Sequence, residues 1–117
     1  MATPTPPDLD HLSLPVADLE RSLRFYVEVL GMRVLWREGD MALVRAGAHA
    51  DLALNQAAQA TPAPALHFGF KVASQHDIDR WAAYLESCKV AGLVREGPQL
   101  YFRDPDGYTL EIYFPGQ

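Results

Sequence analysis

The sequence predicts an α+β fold of two βαβββ modules in tandem, each a curled mixed sheet with one helix, the two pairing into open barrel-like clefts. Three observations predict it. Two stretches, "LDHLSLPVADLERSLRFYVEVLGM" and "LHFGFKVASQHDIDRWAAYLESCKV", each read as an alternating strand leading into an amphipathic helix. Each is followed by three short strand candidates separated by turns rich in Gly and Asp. The landmarks also repeat at steady offsets. His11 and His67 lie 56 apart, as do Val16 and Val72, while "REG" (37–39 and 95–97), Arg45/Arg103 and Leu52/Leu110 lie 58 apart. Matching registers at both ends of the unit indicate duplication with one two-residue insertion.

Each element has a local reason. In the first strand Leu12, Leu14 and Val16 share one parity and His11, Ser13 and Pro15 the other, the pattern of a half-buried strand. Asp18 caps the first helix, whose stripe is Leu19, Leu23, Tyr26 and Leu30, and Gly31 ends it in the left-handed region. Strands at 32–37, 41–46 and 51–55 follow, with "EGD" and "GAHA" between them. In the second unit Leu66, Phe68, Phe70 and Val72 oppose His67, Gly69 and Lys71. "SQHD" (74–77) is a capping box, and Ile78, Trp81, Leu85 and Cys88 form the next helical stripe, with Gly92 as its cap. Strands at 93–96, 99–103 and 108–114 complete the unit, the last two joined by the "DPDG" turn (104–107). The domain organisation is then a disordered lead-in (1–8) and a single domain (9–115). That domain consists of module 1 (9–55), a proline-containing linker (56–65) and module 2 (66–115).

Composition narrows the function. Apolar residues make up 49% of the 117, enough for a core. The net charge is −5 and no run of basic residues exceeds two, which speaks against a nucleic-acid or membrane-surface partner. No apolar run approaches a membrane span. A lone cysteine, Cys88, excludes an internal disulfide and fits a reducing, cytoplasmic setting. Cys88 sits on the apolar stripe of its helix and reads as packed rather than nucleophilic. Phe25 and Trp81 likewise read as core, and His49 and His76 as surface residues.

The chemistry gathers on the parity opposite the aliphatic one. His11 and His67 hold equivalent places on equivalent strands, and Glu111 shares their parity on the last strand. Two imidazoles and a carboxylate on converging faces would form a facial triad with open positions for substrate. Three independent solvated side chains are the other reading of the same spacing. Ser13, Lys71 and Gln99 share the ligand parity and are further pocket candidates.

The segments "HLSLPVADLERSLRFYVEVLGM", "LHFGFKV" and above all "LYFRDPDGYTLEIYF" resemble the vicinal-oxygen-chelate superfamily, the group of glyoxalase I, fosfomycin-resistance proteins, bleomycin-resistance proteins and extradiol dioxygenases. The resemblance spans residues 9 to 115. It implies metal ligands at His11, His67 and Glu111, a pocket tyrosine at Tyr101, and Arg37 and Arg45 near the substrate. It implies a divalent cation (Zn, Mn, Fe, Ni or Co) and a homodimer whose metal site is shared between subunits. The first-half equivalent of Glu111 is Ala53, so a four-ligand glyoxalase I site is not supported. Gly92 stands where extradiol dioxygenases carry a further histidine. "REGPQLY" lacks the serine-rich loop of the fosfomycin-resistance proteins, and "IYFPGQ" lacks their arginine. The expected function is a metal-dependent enzyme acting on a small oxygen-chelating substrate, with catalytic roles for Tyr101 and Glu111. A metal-free protein that sequesters a drug or metabolite is the alternative from another class.

Overall fold

A computed structural model describes residues 1–116 of the chain, which fall into two compact units, Met1–Ala60 and Thr61 onward. In the first unit β1 (His11–Val16) leads into a helix that is α-helical over Leu19–Leu23 (α1) and π-helical over Arg24–Val29. Three strands follow: β2 (Arg33–Glu38), β3 (Met41–Ala46) and β4 (Ala50–Gln56). The second unit repeats the order with β5 (His67–Lys71), α2 (Gln75–Ser87), β6 (Ala91–Glu96), β7 (Gln99–Arg103) and β8 (Thr109–Tyr113). The sheets run β1-β4-β3-β2 and β5-β8-β7-β6. The first and last strand of each unit pair in parallel and the rest antiparallel, so both sheets are mixed. The chain returns to its first strand by way of a helix and two hairpins, which is the length a parallel pairing needs.

The ladders reproduce the offsets of the sequence. His11 pairs with Asp51 and His67 with Thr109; Arg45 pairs with Asp51 and Arg103 with Thr109. The apolar parity is buried on one face of each sheet: Leu14, Val16, Ala42, Val44, Leu52 and Leu54 in the first, Leu100, Phe102, Leu110 and Ile112 in the second. Removing each of these larger side chains from water contributes about 1.5–3 kcal/mol. The opposite face of each sheet carries the polar parity.

Both helices start as expected. The Asp18 side chain accepts from the Arg21 N–H, and Ser74 accepts from the Asp77 N–H while its hydroxyl donates to the Asp77 carboxylate. The buried face of the first helix differs from the stripe Leu19, Leu23, Tyr26, Leu30. The Leu30 N–H donates to the Phe25 carbonyl at 3.0 Å, one residue further back than in an α-helix. Ser22, Phe25 and Tyr26 are buried with Leu19 while Leu23 and Leu30 are only half-buried; the wider turn shifts Leu30, which follows it, whereas Ser22 and Leu23 lie in the α-helical part. On α2 Ile78 and Leu85 are buried, Trp81 is half-buried, and Cys88 is exposed rather than packed. The helix ends at Ser87, and the left-handed residue behind it is Lys89 (φ 57°) rather than Gly92. Gly92 lies inside β6 at a register shift and faces the Arg103 guanidinium.

The repeated "REG" has a structural cause. Arg37 on β2 forms an ion pair with Glu20 of α1, and Arg95 on β6 pairs with Asp79 of α2 at 2.6 Å. Each arginine ties a strand to the helix covering its own sheet, and the glycine after it takes a positive φ in the following turn (57° at Gly39, 60° at Gly97). Arg37 pairs in register with the buried Ala42, so it belongs to the helix side of its sheet. No helix among the described residues is long and apolar enough to cross a membrane.

Candidate metal centre

Module 2 sets its polar face out as a grid of cross-strand rows. Gly69, Glu111, Tyr101 and Val94 are register partners across β5, β8, β7 and β6. The row on one side holds His67, Thr109 and Arg103; the row on the other holds Lys71, Tyr113, Gln99 and Glu96. Directly opposed and diagonal neighbours on such a face lie within reach of long side chains. His67, Tyr101, Gln99 and Glu111 are thereby brought together by backbone register alone.

The turn before β8 fixes where Glu111 stands. The buried Asp104 carboxylate accepts from the Asp106 and Tyr108 N–H groups, both at 2.9 Å. The Asp104 N–H donates to the Tyr108 carbonyl, and Gly107 takes φ 93°, a region open to glycine. The Tyr108 hydroxyl in turn accepts from the Thr61 N–H at 3.0 Å.

Glu111 is 8% exposed, unusual for a carboxylate that forms no ion pair with a lysine or arginine among the described residues. Its Oε2 accepts from Gln99 Nε2 at 3.0 Å, and its Oε1 lies 3.5 Å from His67 Nε2. Gly69 makes room for this: a Cβ there would stand 3.1 Å from Glu111 Oε1. The His67 ring meets Tyr101 edge-to-face at 5.7 Å. The Tyr101 phenol titrates above its ordinary value because it is desolvated, and because the Glu111 carboxylate opposes its ionisation by charge and by hydrogen bonding. It therefore stays a neutral donor at neutral pH.

This donor set fits a divalent cation. An imidazole nitrogen and a carboxylate oxygen 3.5 Å apart have the separation shown by two ligands about 2.0–2.2 Å from one ion at a near-tetrahedral angle. Glu111 already has the outer hydrogen bond that ligating carboxylates carry.

In module 1 His11 opens β1, with its Nδ1 2.8 Å from Asp10 Oδ1. With the proton on Nδ1, that contact orients the ring and leaves the Nε2 lone pair for ligation. The row beside it is Asp51, Arg45 and Arg33. Arg45 and Asp51 form an ion pair whose hydrogen bond raises the guanidinium pKa and lowers that of the carboxylate. Ser13 shares the face of His11, in register with Ala53. Among the described residues no three His, Cys, Asp or Glu side chains gather into a metal-binding group.

Of the residues singled out from sequence, His67, Tyr101, Gln99 and Glu111 are in mutual reach, and Lys71 lies one row away on the same face. Ser13, Arg45 and His11 share the corresponding face of module 1, Arg45 already engaged by Asp51. Arg37 is on the helix side, tied to Glu20, on the opposite face of its own sheet from His11. Sequence reasoning missed Gly69 and the Asp51–Arg45 pair. The signals were there: a glycine inside a strand often marks a close approach, and opposite charges at cross-strand positions attract.

Comparison with known proteins bears on the same segments. Residues 8–112 match the family model described as Glyoxalase/Bleomycin resistance protein/Dioxygenase superfamily. Glutathione transferase FosA of Serratia marcescens is 33% identical over 112 residues, covering 90% of this chain and 79% of that protein. Metapyrocatechase of Geobacillus stearothermophilus is 30% identical over 114 residues, covering 91% of this chain but 34% of that enzyme. Among solved structures, the glyoxylase/bleomycin resistance protein/dioxygenase domain from Frankia sp. EAN1pec superposes with a TM-score of 0.79 at 26% identity, over 97% of this chain and 95% of that one.

Proposed function

The chain belongs to the glyoxalase/bleomycin resistance protein/dioxygenase superfamily, and from that premise we propose a metal-dependent enzyme acting on a small oxygen-chelating substrate. The observation that carries the reading is the buried Glu111 carboxylate with its Oε1 3.5 Å from His67 Nε2. Glu111 and His67 would hold a divalent cation (Zn, Mn, Fe, Ni or Co) together with His11, which Asp10 orients. Bound there, the cation supplies Lewis-acid stabilisation of negative charge on a substrate oxygen. Tyr101, kept protonated, donates a hydrogen bond to the substrate and sets its position. Lys71, Gln99, Ser13 and Arg45 line the faces on which the substrate rests.

The relatives narrow the chemistry without naming the substrate. The resemblance to a glutathione transferase supports a thiol transfer, and that to metapyrocatechase supports a dioxygenase. In this reading the protein is a cytoplasmic homodimer, and His11 of one subunit completes the site formed by His67 and Glu111 of the other.

Metal analysis tests the proposal directly. Protein purified without added metal or chelator is expected to carry about one divalent ion per chain, and Glu111→Ala to weaken binding by at least a hundredfold after dialysis. Full occupancy in Glu111→Ala would sink the ligand assignment. Metal-free protein that still binds a small molecule tightly would favour the sequestering alternative.

A further inference from the structure

Gln99 is bonded to one oxygen, Oε2, of the carboxylate on which the proposed metal site depends. We propose that Gln99 is a positioning residue: its amide occupies Glu111 Oε2, so that Glu111 offers a metal ion one oxygen, Oε1, instead of both. The inference rests on the metal-site reading above.

Three features support it. Gln99 springs from a fixed point. Its backbone pairs with Tyr113 of β8 and Glu96 of β6, and the adjacent Pro98 carbonyl accepts from the Phe114 N–H at 3.0 Å. From there the side chain crosses diagonally to Glu111, where Nε2 donates to Oε2 at 3.0 Å. The other oxygen is set on the far side of the carboxylate by space. Gly69 is the register partner of Glu111, and a Cβ there would come within 3.1 Å of Oε1, so the missing methyl is the room Oε1 occupies. That oxygen is also the one facing His67, at 3.5 Å from Nε2. The carboxylate is therefore held from both ends: a donor on Oε2, and on Oε1 a glycine cleft opening toward the imidazole.

The chemical consequence follows from what a carboxylate can do. A free glutamate can chelate one ion through both oxygens and so fill two coordination positions. With one lone pair of Oε2 engaged by an amide N–H, that oxygen is oriented and made a weaker donor, which favours ligation through Oε1. A glutamate restricted to one oxygen leaves a coordination position for the substrate, which a metal that takes up a two-oxygen substrate requires.

The test uses Co(II) added to metal-free protein, read by titration and by difference infrared spectroscopy of the bound carboxylate. The parent is expected to show the wide splitting of the two carboxylate stretches that marks a ligand bound through one oxygen. Gln99→Met, of similar length but without a donor, is expected to bind Co(II) about 10–100-fold more weakly. It is also expected to show the narrower splitting of a bidentate carboxylate and a shifted Co(II) absorption band. A purely structural role for Gln99 would lower stability without changing the splitting. Bidentate binding in the parent overturns the inference whether or not Gln99→Met folds. So does a variant with unaltered affinity and splitting. A parent that takes up no Co(II) fails the metal-site reading itself, and the inference with it.

Discussion

Glu111 is a carboxylate held out of water by its own strand register, and the proposed metal site depends on it. Burying a carboxylate is costly unless polar partners replace the lost hydration, and Gln99 is one such partner. The glycine opposite is as important as the donor. In Gly69→Ala the new methyl would lie 3.1 Å from Oε1, and the carboxylate must shift against the amide that holds its other oxygen. Gly69 does not have a positive φ, so alanine suits the strand. Gly69→Ala is therefore expected to keep its urea midpoint while its Co(II) affinity falls roughly tenfold, as measured by titration. Tyr101 separates binding from turnover. Tyr101→Phe keeps the ring beside His67 and removes only the hydroxyl. The expected result is a drop of about 10–100-fold in kcat/KM on any accepted substrate, the worth of one hydrogen bond to a charged group, exceeding the loss in metal affinity. Equal kinetics for the two proteins would leave Tyr101 a packing role.

At the scale of the elements, strand parity and caps were legible in the sequence because they rest on local rules. His67, Glu111, Gln99 and Tyr101 could be assigned to one face by counting in twos, and Asp18 and Ser74 cap their helices as their residue types suggest. What could not be counted was any departure from the ideal period. The π-helical turn over Arg24–Val29 shifts Leu30 off the buried face, and in the α-helical part before it Ser22 is buried rather than Leu23. At the end of α2 a lysine took the left-handed position that a glycine usually fills, because the chain turns back three residues before Gly92. That leaves a correctable strain. Lys89→Gly is expected to raise stability by about 1 kcal/mol, seen as a higher urea midpoint at unchanged slope. The side-chain ties across elements were also invisible from one sequence, since "REG" does not show which acid each arginine meets. Arg95 holds the Asp79 pKa below its ordinary 3.8, through their hydrogen bond and then by charge. A lowered carboxylate pKa stabilises the fold above the unfolded value, and that contribution is lost as pH falls through the folded one. Arg95→Gln is therefore expected to have a lower urea midpoint than the parent near about pH 6, with the gap closing well below pH 3.8. A gap that persists at low pH would mean that Arg95 acts by packing.

Across the whole molecule, the open faces ask for a partner. Each module is a four-stranded sheet with two edges, and each polar face also carries exposed apolar side chains: Trp36 and Met41 in module 1, Val94 in module 2. Val94 stands in the row of Glu111, and side chains of this size on these faces favour closure by a second sheet over lasting exposure. The chain supplies two such sheets by duplication, and the family resemblance supports pairing them between subunits. The metal then reports the connectivity, because His11 belongs to the first unit and His67 and Glu111 to the second. Homodimers of His11→Ala and of Glu111→Ala are each expected to lose tight binding, since every site in them lacks a ligand. A mixed dimer behaves differently if the sites are shared. The subunit lacking Glu111 still gives its His11 to the partner that retains His67 and Glu111, so one site is whole and the other has lost both ligands. The expected occupancy is one tightly bound ion per mixed dimer, against two in the parent. Sites completed within a single chain would give none, because each chain then carries one lesion of its own, and a monomer at micromolar concentration would rule out the shared arrangement before any metal is added.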